Sequence, residues 1–431
     1  MSILIRNVIL VTMTDDGIIS PGSIAVEGQN IVFAGPSEDL PADFQAQEII
    51  DGEGMVATPG LVNCHTHAAM TLFRGYADDL PLMEWLSNKI WPIEARLTGQ
   101  DVYWGTKLAC LEMIKSGTTT FADMYFFMDD VARAVEECGL RACLARGLIG
   151  LTDANEQALN ESRDFIGKWD GQGDGRITCM LGPHAPYTCP PDYLKKVIQA
   201  AERLGVRVHI HLAETLSEVE QIKNQYGCSP IELVDRAGLF SVGVLAAHCV
   251  HLSEQDIDIL INKGAGIAHN PQSNMKLGSG VAPLARLLKN GAKVGIGTDG
   301  AASNNDLDMV DETRTAALLQ KAVNHDPTVV PADQAWAMAT TMGAAALGMD
   351  DLIGTLEAGK KADIVLWNWK GPHLSPSHNV MAHLVYSVHG YDADTVIING
   401  RIVMRHRQVL TMDEEAVLAE ATKCAQRLVE G

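Results

Sequence analysis

Two kinds of apolar pattern divide the chain. Residues 1–57 carry short apolar runs, ILIRNVILVT and SIAVEGQNIVFAG, broken by Gly and Pro and showing no long helical period. Runs of that kind read as strands joined by turns. From Thr58 the pattern changes. Strand-length apolar runs now alternate with stretches of helical spacing, such as DYLKKVIQAAERLG and SPIELVDRAGL. That alternation predicts βα units around a parallel sheet. Eight strand ends can be placed in order: MVATPGLVNCHTH, TTTFADMY, RACLARGLIG, ITCMLGPHAP, VRVHIHLAET, VLAAHCVHL, AGIAHNPQSN and KVGIGTDGAAS. Eight strands close a (β/α)8 barrel. From residue 355 strand-like runs return, GTLEAGKKADIVLWN and TVIINGRIVMRHRQVL, before an amphipathic helix, DEEAVLAEATKCAQRLVEG. The expected fold is therefore α/β. A TIM-type (β/α)8 barrel spans residues 58–354, beside a small β-sandwich domain made from segments 1–57 and 355–431.

Composition narrows the partners. The length, 431 residues, suits a barrel with additions, and 47% apolar residues supply a core without disulfides. The formal net charge of −21 repels phosphate backbones, so a nucleic-acid polymer is not expected as a partner. Nine cysteines form no CxxC pair and read as reduced thiols of a cytoplasmic protein. Cys64 and Cys249 sit beside histidines, where a ligand role is conceivable; both are read as core filler. The N-terminal MSILIRNVIL lacks the basic region and cleavage site of a secretory leader. No apolar run approaches the ~20 residues that span a bilayer. No membrane association is expected, and barrels of this kind often form homo-oligomers.

The chemistry-bearing residues fall at strand ends, where barrels place catalysis. His65 and His67 close the first strand with HxH spacing, so both imidazoles can share one face. His211 closes the fifth strand, His248 the sixth and Asp299 the eighth. Imidazoles plus a carboxylate suit a zinc-type ion that keeps a position for water. Which four would bind is open on spacing alone. His211 is preferred to His209, its HxH neighbour, because it lies nearer the strand end; His209 is expected deeper, in a barrel layer. Glu214 follows His211 by three residues and is either a proton shuttle or an N-terminal helix cap. Trp85 and Trp91, in MEWLSNKIWPIEARL, either stack on a base or pack.

NCHTHAAMTLFRG, HLAET, AAHCVHL, AHNPQSNMKLGSG and GTDGAASNN, in that order, resemble the amidohydrolase superfamily. Within it they are similar to the 5′-methylthioadenosine/S-adenosylhomocysteine deaminase group, over the whole chain including GTLEAGKKADIVLWN. The resemblance implies one divalent metal ion per chain, most simply zinc, held by His65, His67, His211 and Asp299. It implies that His248 contacts the attacking water and that Glu214 shuttles a proton to a purine ring nitrogen. It makes His184 a substrate contact, Glu94 the reader of the ribose hydroxyls and Arg146 an arginine near the ligand's tail. A second tail arginine is not placed; Arg163 lies where the pattern is loose and is left out. Two-metal relatives end their fourth strand in a carboxylated lysine. This chain has CMLGPHAP there, which implies a single ion.

The implied activity is metal-dependent hydrolytic deamination of a small nucleoside, with Glu214, His248 and Asp299 catalytic. 5′-methylthioadenosine, S-adenosylhomocysteine and adenosine are the candidate substrates. A guanine or cytosine deaminase, or a triazine hydrolase, would use the same machinery, because specificity lives in loops. A non-catalytic metal-binding barrel is the remaining alternative. The intact set Glu214, His248 and Asp299 argues against it, since binding alone needs no proton shuttle.

Overall fold

The computed structural model describes residues 2–430. Five strands open the chain: β1 (Ser2–Val11), β2 (Ile18–Glu27), β3 (Asn30–Pro36), β4 (Glu48–Asp51) and β5 (Met55–Pro59). Eight more follow at intervals: β6 (Leu61–Thr66), β7 (Thr118–Tyr125), β8 (Arg141–Leu148), β9 (Ile177–Pro183), β10 (Val208–Leu212), β11 (Val244–His248), β12 (Gly266–His269) and β13 (Lys293–Ile296). These eight pair in chain order, every pair parallel. They coincide with the eight strand ends read from the sequence.

The barrel closes between the ends of β13 and β6 through the Asn63 side chain and a backbone bond. Asn63 donates to Thr298 Oγ1 at 2.8 Å and accepts from Thr298 N at 3.0 Å, and Asp299 N donates to His65 O at 2.9 Å. The strands can approach because Gly295 has no side chain: a Cβ there would lie 2.3 Å from Cys64 Sγ. Inside, the barrel is filled by small or flexible residues, Val62, Cys64, Ala122, Met124, Cys143, Ala145, Ala247 and Ala268. The helix Thr341–Leu347 adds Ala344 and Ala346 to this cluster. Arg207, just before β10, donates to Ala346 O at 2.9 Å and Val244 O at 3.2 Å. That helix therefore seals the N-terminal ends of the strands and leaves the C-terminal ends as the open mouth.

The last strands are β14 (Ile364–Asn368), β15 (Ala393–Ile398), β16 (Arg401–Arg405) and β17 (Gln408–Val409). Strand β14 pairs antiparallel with β5, which runs parallel to β1. The terminal segments thus share one mixed sheet, in the order β17-β16-β15-β14-β5-β1-β2-β3, with β4 on β1. The expected sandwich is this one sheet curled over its own core rather than two separate sheets. Ile3, Ile5, Ile24, Ile31, Ile364, Leu366 and Ile397 meet in one cluster. Asn30 bridges Lys361, and a Cβ on Gly400 would lie 1.9 Å from Gly28 O, so the turns after β2 and β15 touch.

A buried ion pair ties sheet to barrel. Arg141, which opens β8, donates from Nε to Asp363 Oδ2 at 2.8 Å and from a terminal nitrogen to Asp363 Oδ1 at 3.1 Å; both side chains are almost fully buried. Removing one partner of such a pair strands a buried charge, at about 3–5 kcal/mol. Asp363→Ala should therefore lose about that much stability in denaturant unfolding. A loss under ~1 kcal/mol would show that the pair does not clamp the two units.

Candidate metal centre and substrate cavity

The histidines gather at the barrel mouth because successive strands end there. His65 lies in β6, His67 one residue beyond it, and His211 near the end of β10. His248 ends β11, and Asp299 follows β13 by three residues. All but half-buried His67 are at most 5% exposed. The backbone bends to deliver them. Ala213, His248 and Asp299 have φ of 51°, 72° and 63°, a left-handed conformation that side chains rarely adopt. Strain of this kind, on the order of 1–3 kcal/mol each, concentrates at functional sites.

Each imidazole is turned by its Nδ1. His67 Nδ1 donates to Met124 O at 2.6 Å, and His211 Nδ1 to His184 O at 2.7 Å. A carbonyl can only accept, so both Nε2 atoms carry lone pairs. Those two atoms lie 3.3 Å apart. His65 Nε2 and His67 Nε2 lie 3.3 Å and 3.4 Å from Asp299 Oδ1. Lone pairs facing one another at such distances repel unless a cation lies between them. The spacing itself fits one. Zinc–ligand bonds of about 2.0–2.1 Å place tetrahedral ligands about 3.3–3.4 Å apart. His65 Nε2 is buried and has no hydrogen-bond partner among the described residues, as an ion ligand requires. His65, His67 and His211 form one candidate ligand group; His65, His248 and Asp299 form an overlapping one.

The electrostatics agree. Burial pushes His65 down to about 4 and His211 well below the usual imidazole range, so both are neutral at pH 7. Asp299 is buried against His65 and His67. Its other oxygen, Oδ2, accepts from Ser273 Oγ at 2.6 Å and Ser303 Oγ at 2.8 Å, which aims Oδ1 at the histidines. His248 Nδ1 is 2.9 Å from Asn274 Oδ1. Burial alone would lower His248; Glu214 and Asp299 raise it above its usual value.

Glu214 is 7% exposed, and its Oε2 lies 3.8 Å from His248 Nε2. Burial raises its carboxyl, opposed by His248. Its reading as a helix cap fails: Thr215 caps the helix Leu216–Tyr226 by accepting from Glu218 N. Glu218 in turn accepts from Ala213 N at 3.1 Å and Glu214 N at 2.8 Å, so Glu214 is held by its own backbone.

Over this floor stands a cavity lined by His67, Glu94, His184, His211, Glu214, His248 and Asp299, with apolar walls from Leu82, Trp85, Leu86, Ile90, Trp91, Tyr125 and Phe126. The helical turns Leu82–Trp85, Leu86–Ile90 and Trp91–Glu94 form one side. Glu94 accepts from the Tyr125 hydroxyl at 2.7 Å, and burial raises its carboxyl. His184 faces the cavity with Nδ1 2.9 Å from Thr188 Oγ1. Trp85 is buried, its Nε1 donating to Ala77 O at 3.0 Å; Trp91 is an exposed rim residue.

Arg146 stands apart. It lies in an adjoining groove that shares Phe126, Gly147 and Ile149 with the cavity, and it pairs with Glu161 at 2.5 Å. Arg163 bonds Asn160 and lines neither space. Cys64 and Cys249 belong to neither ligand group, and all nine cysteines are free. The sequence reading overlooked Tyr125, Ser273, Asn274, Ser303 and Glu218. A signal existed for three: SN in AHNPQSN and the serine of GAASNN lie in the segments that follow β12 and β13 at the barrel mouth.

A parallel barrel whose strand ends present histidines and an aspartate around one ion-sized centre defines a metal-dependent hydrolase. The chain belongs to the amidohydrolase family, whose model matches residues 56–403. It is 64% identical over 430 residues to a 5-methylthioadenosine/S-adenosylhomocysteine deaminase from Desulforudis audaxviator, covering 100% of both chains. A protein of the same name from Pelotomaculum thermopropionicum is 58% identical, over 99% of each chain. Among solved structures, a zinc-bound adenosine deaminase from Xanthomonas campestris is 36% identical, with a TM-score of 0.96 over 100% of this chain and 99% of that one. A zinc complex of an atrazine chlorohydrolase from Arthrobacter aurescens is 25% identical, with a TM-score of 0.91 over 98% and 100%. Among the described residues no helix is long and apolar enough to cross a membrane.

Asp299 has one oxygen on the candidate centre and the other on two serines. Asp299→Ala should therefore leave a folded protein that holds much less metal, as read by elemental analysis after dialysis. Retention of a full equivalent would remove Asp299 from the ligand set.

Proposed function

We propose that this chain is a hydrolytic deaminase that replaces the 6-amino group of an adenosine-type nucleoside with oxygen. Its proposed substrates are 5′-methylthioadenosine and S-adenosylhomocysteine. The observation that carries the reading is one cavity that brings carboxylates and the histidine cluster together under apolar walls. Glu214 and the ligand cluster lie at its floor, and Glu94 stands in its wall. The close relatives named for these substrates support the choice.

His65, His67, His211 and Asp299 would hold one divalent ion, with zinc the proposed metal. Such an ion supplies one thing, a bound water whose pKa falls to about 7. The chain's own groups do the rest. Glu214, kept protonated more readily by burial, gives a proton to the purine ring nitrogen and makes C6 electrophilic. His248 and Asp299 hold the attacking oxygen in line. A C–O bond forms at C6, one proton of the water passes through the carboxylates to the amino group, and the C–N bond breaks to release ammonia; the other water proton leaves the new C6 hydroxyl as the C=O forms and returns to Glu214. Glu94 accepts hydrogen bonds from the ribose diol with the capacity that Tyr125 leaves free. The apolar wall takes the purine and the thioether, and His184 contacts the ring.

The test is ammonia release from a panel: 5′-methylthioadenosine, S-adenosylhomocysteine, adenosine, guanine, cytosine and melamine. The first two should be turned over fastest; preference for guanine, cytosine or melamine would overturn the assignment. Glu214→Gln should keep its metal and lose turnover by about 10²–10⁴-fold, the usual worth of general acid–base catalysis. A kcat within a few-fold of the parent would remove Glu214 from the proton path.

The two substrates differ at the tail. S-adenosylhomocysteine ends in an amino acid, and the adjoining groove offers the Arg146–Glu161 pair to its two charges. Hydrogen bonds to charged groups contribute about 1.5–3 kcal/mol, roughly ten- to hundredfold in rate. Arg146→Ala should lower kcat/KM by that factor for S-adenosylhomocysteine and hardly at all for 5′-methylthioadenosine. Glu94→Ala should depress both alike, since both present the same diol. Equal effects of Arg146→Ala on the two substrates would place their tails elsewhere.

A further inference from the structure

His209 has no part in the reaction above, yet it sits beside the centre. It precedes His211 by two residues on β10, so both side chains face the barrel interior, His209 one layer deeper. It is fully buried. Its Nε2 lies 2.8 Å from His65 Nδ1, with the rings edge-on at 82° and centroids 4.9 Å apart. Its other nitrogen, Nδ1, has no hydrogen-bond partner among the described residues. A buried polar atom left unpaired costs free energy and calls for an explanation. A leucine there would carry no such cost.

We propose that His209 is a positioning residue that accepts the Nδ1 proton of His65 and so presents the lone pair of His65 Nε2 to the ion. The inference rests on the ion site proposed above. An imidazole that ligates through Nε2 keeps its single proton on Nδ1. His67 and His211 place theirs on backbone carbonyls, Met124 O and His184 O. His65 leans on a side chain instead. Without an acceptor at Nδ1, His65 could carry its proton on Nε2 and donate it to Asp299 Oδ1, 3.3 Å away. That tautomer spends two ligands on each other. With His209 Nε2 accepting, the proton of His209 must sit on its own Nδ1, which is the atom left unpaired. The orphan nitrogen is thus the cost of fixing the tautomer next door.

Two variants separate positioning from packing. His209→Leu fills the space with no acceptor; His209→Gln keeps an acceptor, its side-chain carbonyl. Zinc affinity is read by competition with a chromophoric chelator, and thermal unfolding is read on the metal-free proteins. We expect His209→Leu to bind zinc ten- to hundredfold more weakly, with a metal-free Tm equal to or above the parent's. We expect His209→Gln to bind within a few-fold of the parent. If His209→Leu does not fold, the glutamine variant decides alone: near-parental affinity supports the role and a hundredfold loss overturns it. Parental affinity in His209→Leu would show that His209 only packs. Equal losses in both variants would make it a ligand itself. A parent that binds no zinc would instead sink the ion site, and this inference with it.

Discussion

Lone pairs that face one another are tolerable only around a positive charge, and the mouth of this barrel is built on that condition. His67 Nε2 and His211 Nε2 lie 3.3 Å apart, each turned inward by a carbonyl behind it. Asp299 Oδ1 adds a negative charge to the same point. To gather these atoms, β6, β10 and β13 must end at one place, which requires a closed barrel. Closure requires β13 and β6 to approach, which Gly295 permits and the Asn63–Thr298 pair completes. The left-handed residues at Ala213, His248 and Asp299 are the local cost of that convergence.

Behind the converging atoms stands a set of groups that point them. Ser273 and Ser303 occupy one oxygen of Asp299, Asn274 orients His248, and Glu218 holds the backbone of Glu214. All are buried, so each bond is made where water does not compete. The floor atoms are therefore pointed by residues that do not themselves line the cavity. The cavity wall is of another kind. Leu82–Glu94 is a run of short helical turns, one of them a π turn, with apolar side chains on the cavity and at the rim. Such turns recur where a helix is shaped to a site.

That division explains how proteins of one fold can carry different activities. An adenosine deaminase and an atrazine chlorohydrolase both superpose on nearly the whole of this chain. The fold is shared property, and in such folds specificity rests on what stands above the barrel mouth. In this chain Glu94, braced by Tyr125, and the groove of Arg146 and Glu161 stand there. Neither belongs to the ligand cluster, so each can change without disturbing it.

Periodicity alone marks the eight barrel strands and the strand-like termini, because burial of one face or of both writes itself directly into the order of apolar and polar residues. It also marked His65, His67, His211, His248 and Asp299, because a βα barrel carries its chemistry at strand ends and those ends are visible as apolar runs that stop in a polar residue. Tertiary structure decided the rest. Only the fold joins β5 to β14 into one curled sheet, a pairing between residues some three hundred positions apart that no local pattern encodes. Only the fold shows that Thr215, not Glu214, caps its helix, and that Tyr125 stands behind Glu94. Arg146 looked like the other strand-end residues, yet it pairs with Glu161 in a separate groove. Strand position sets how far along the barrel a side chain sits. Which neighbour it meets depends on the direction it leaves the strand and on loops from elsewhere in the chain, and both are settled only when the barrel closes.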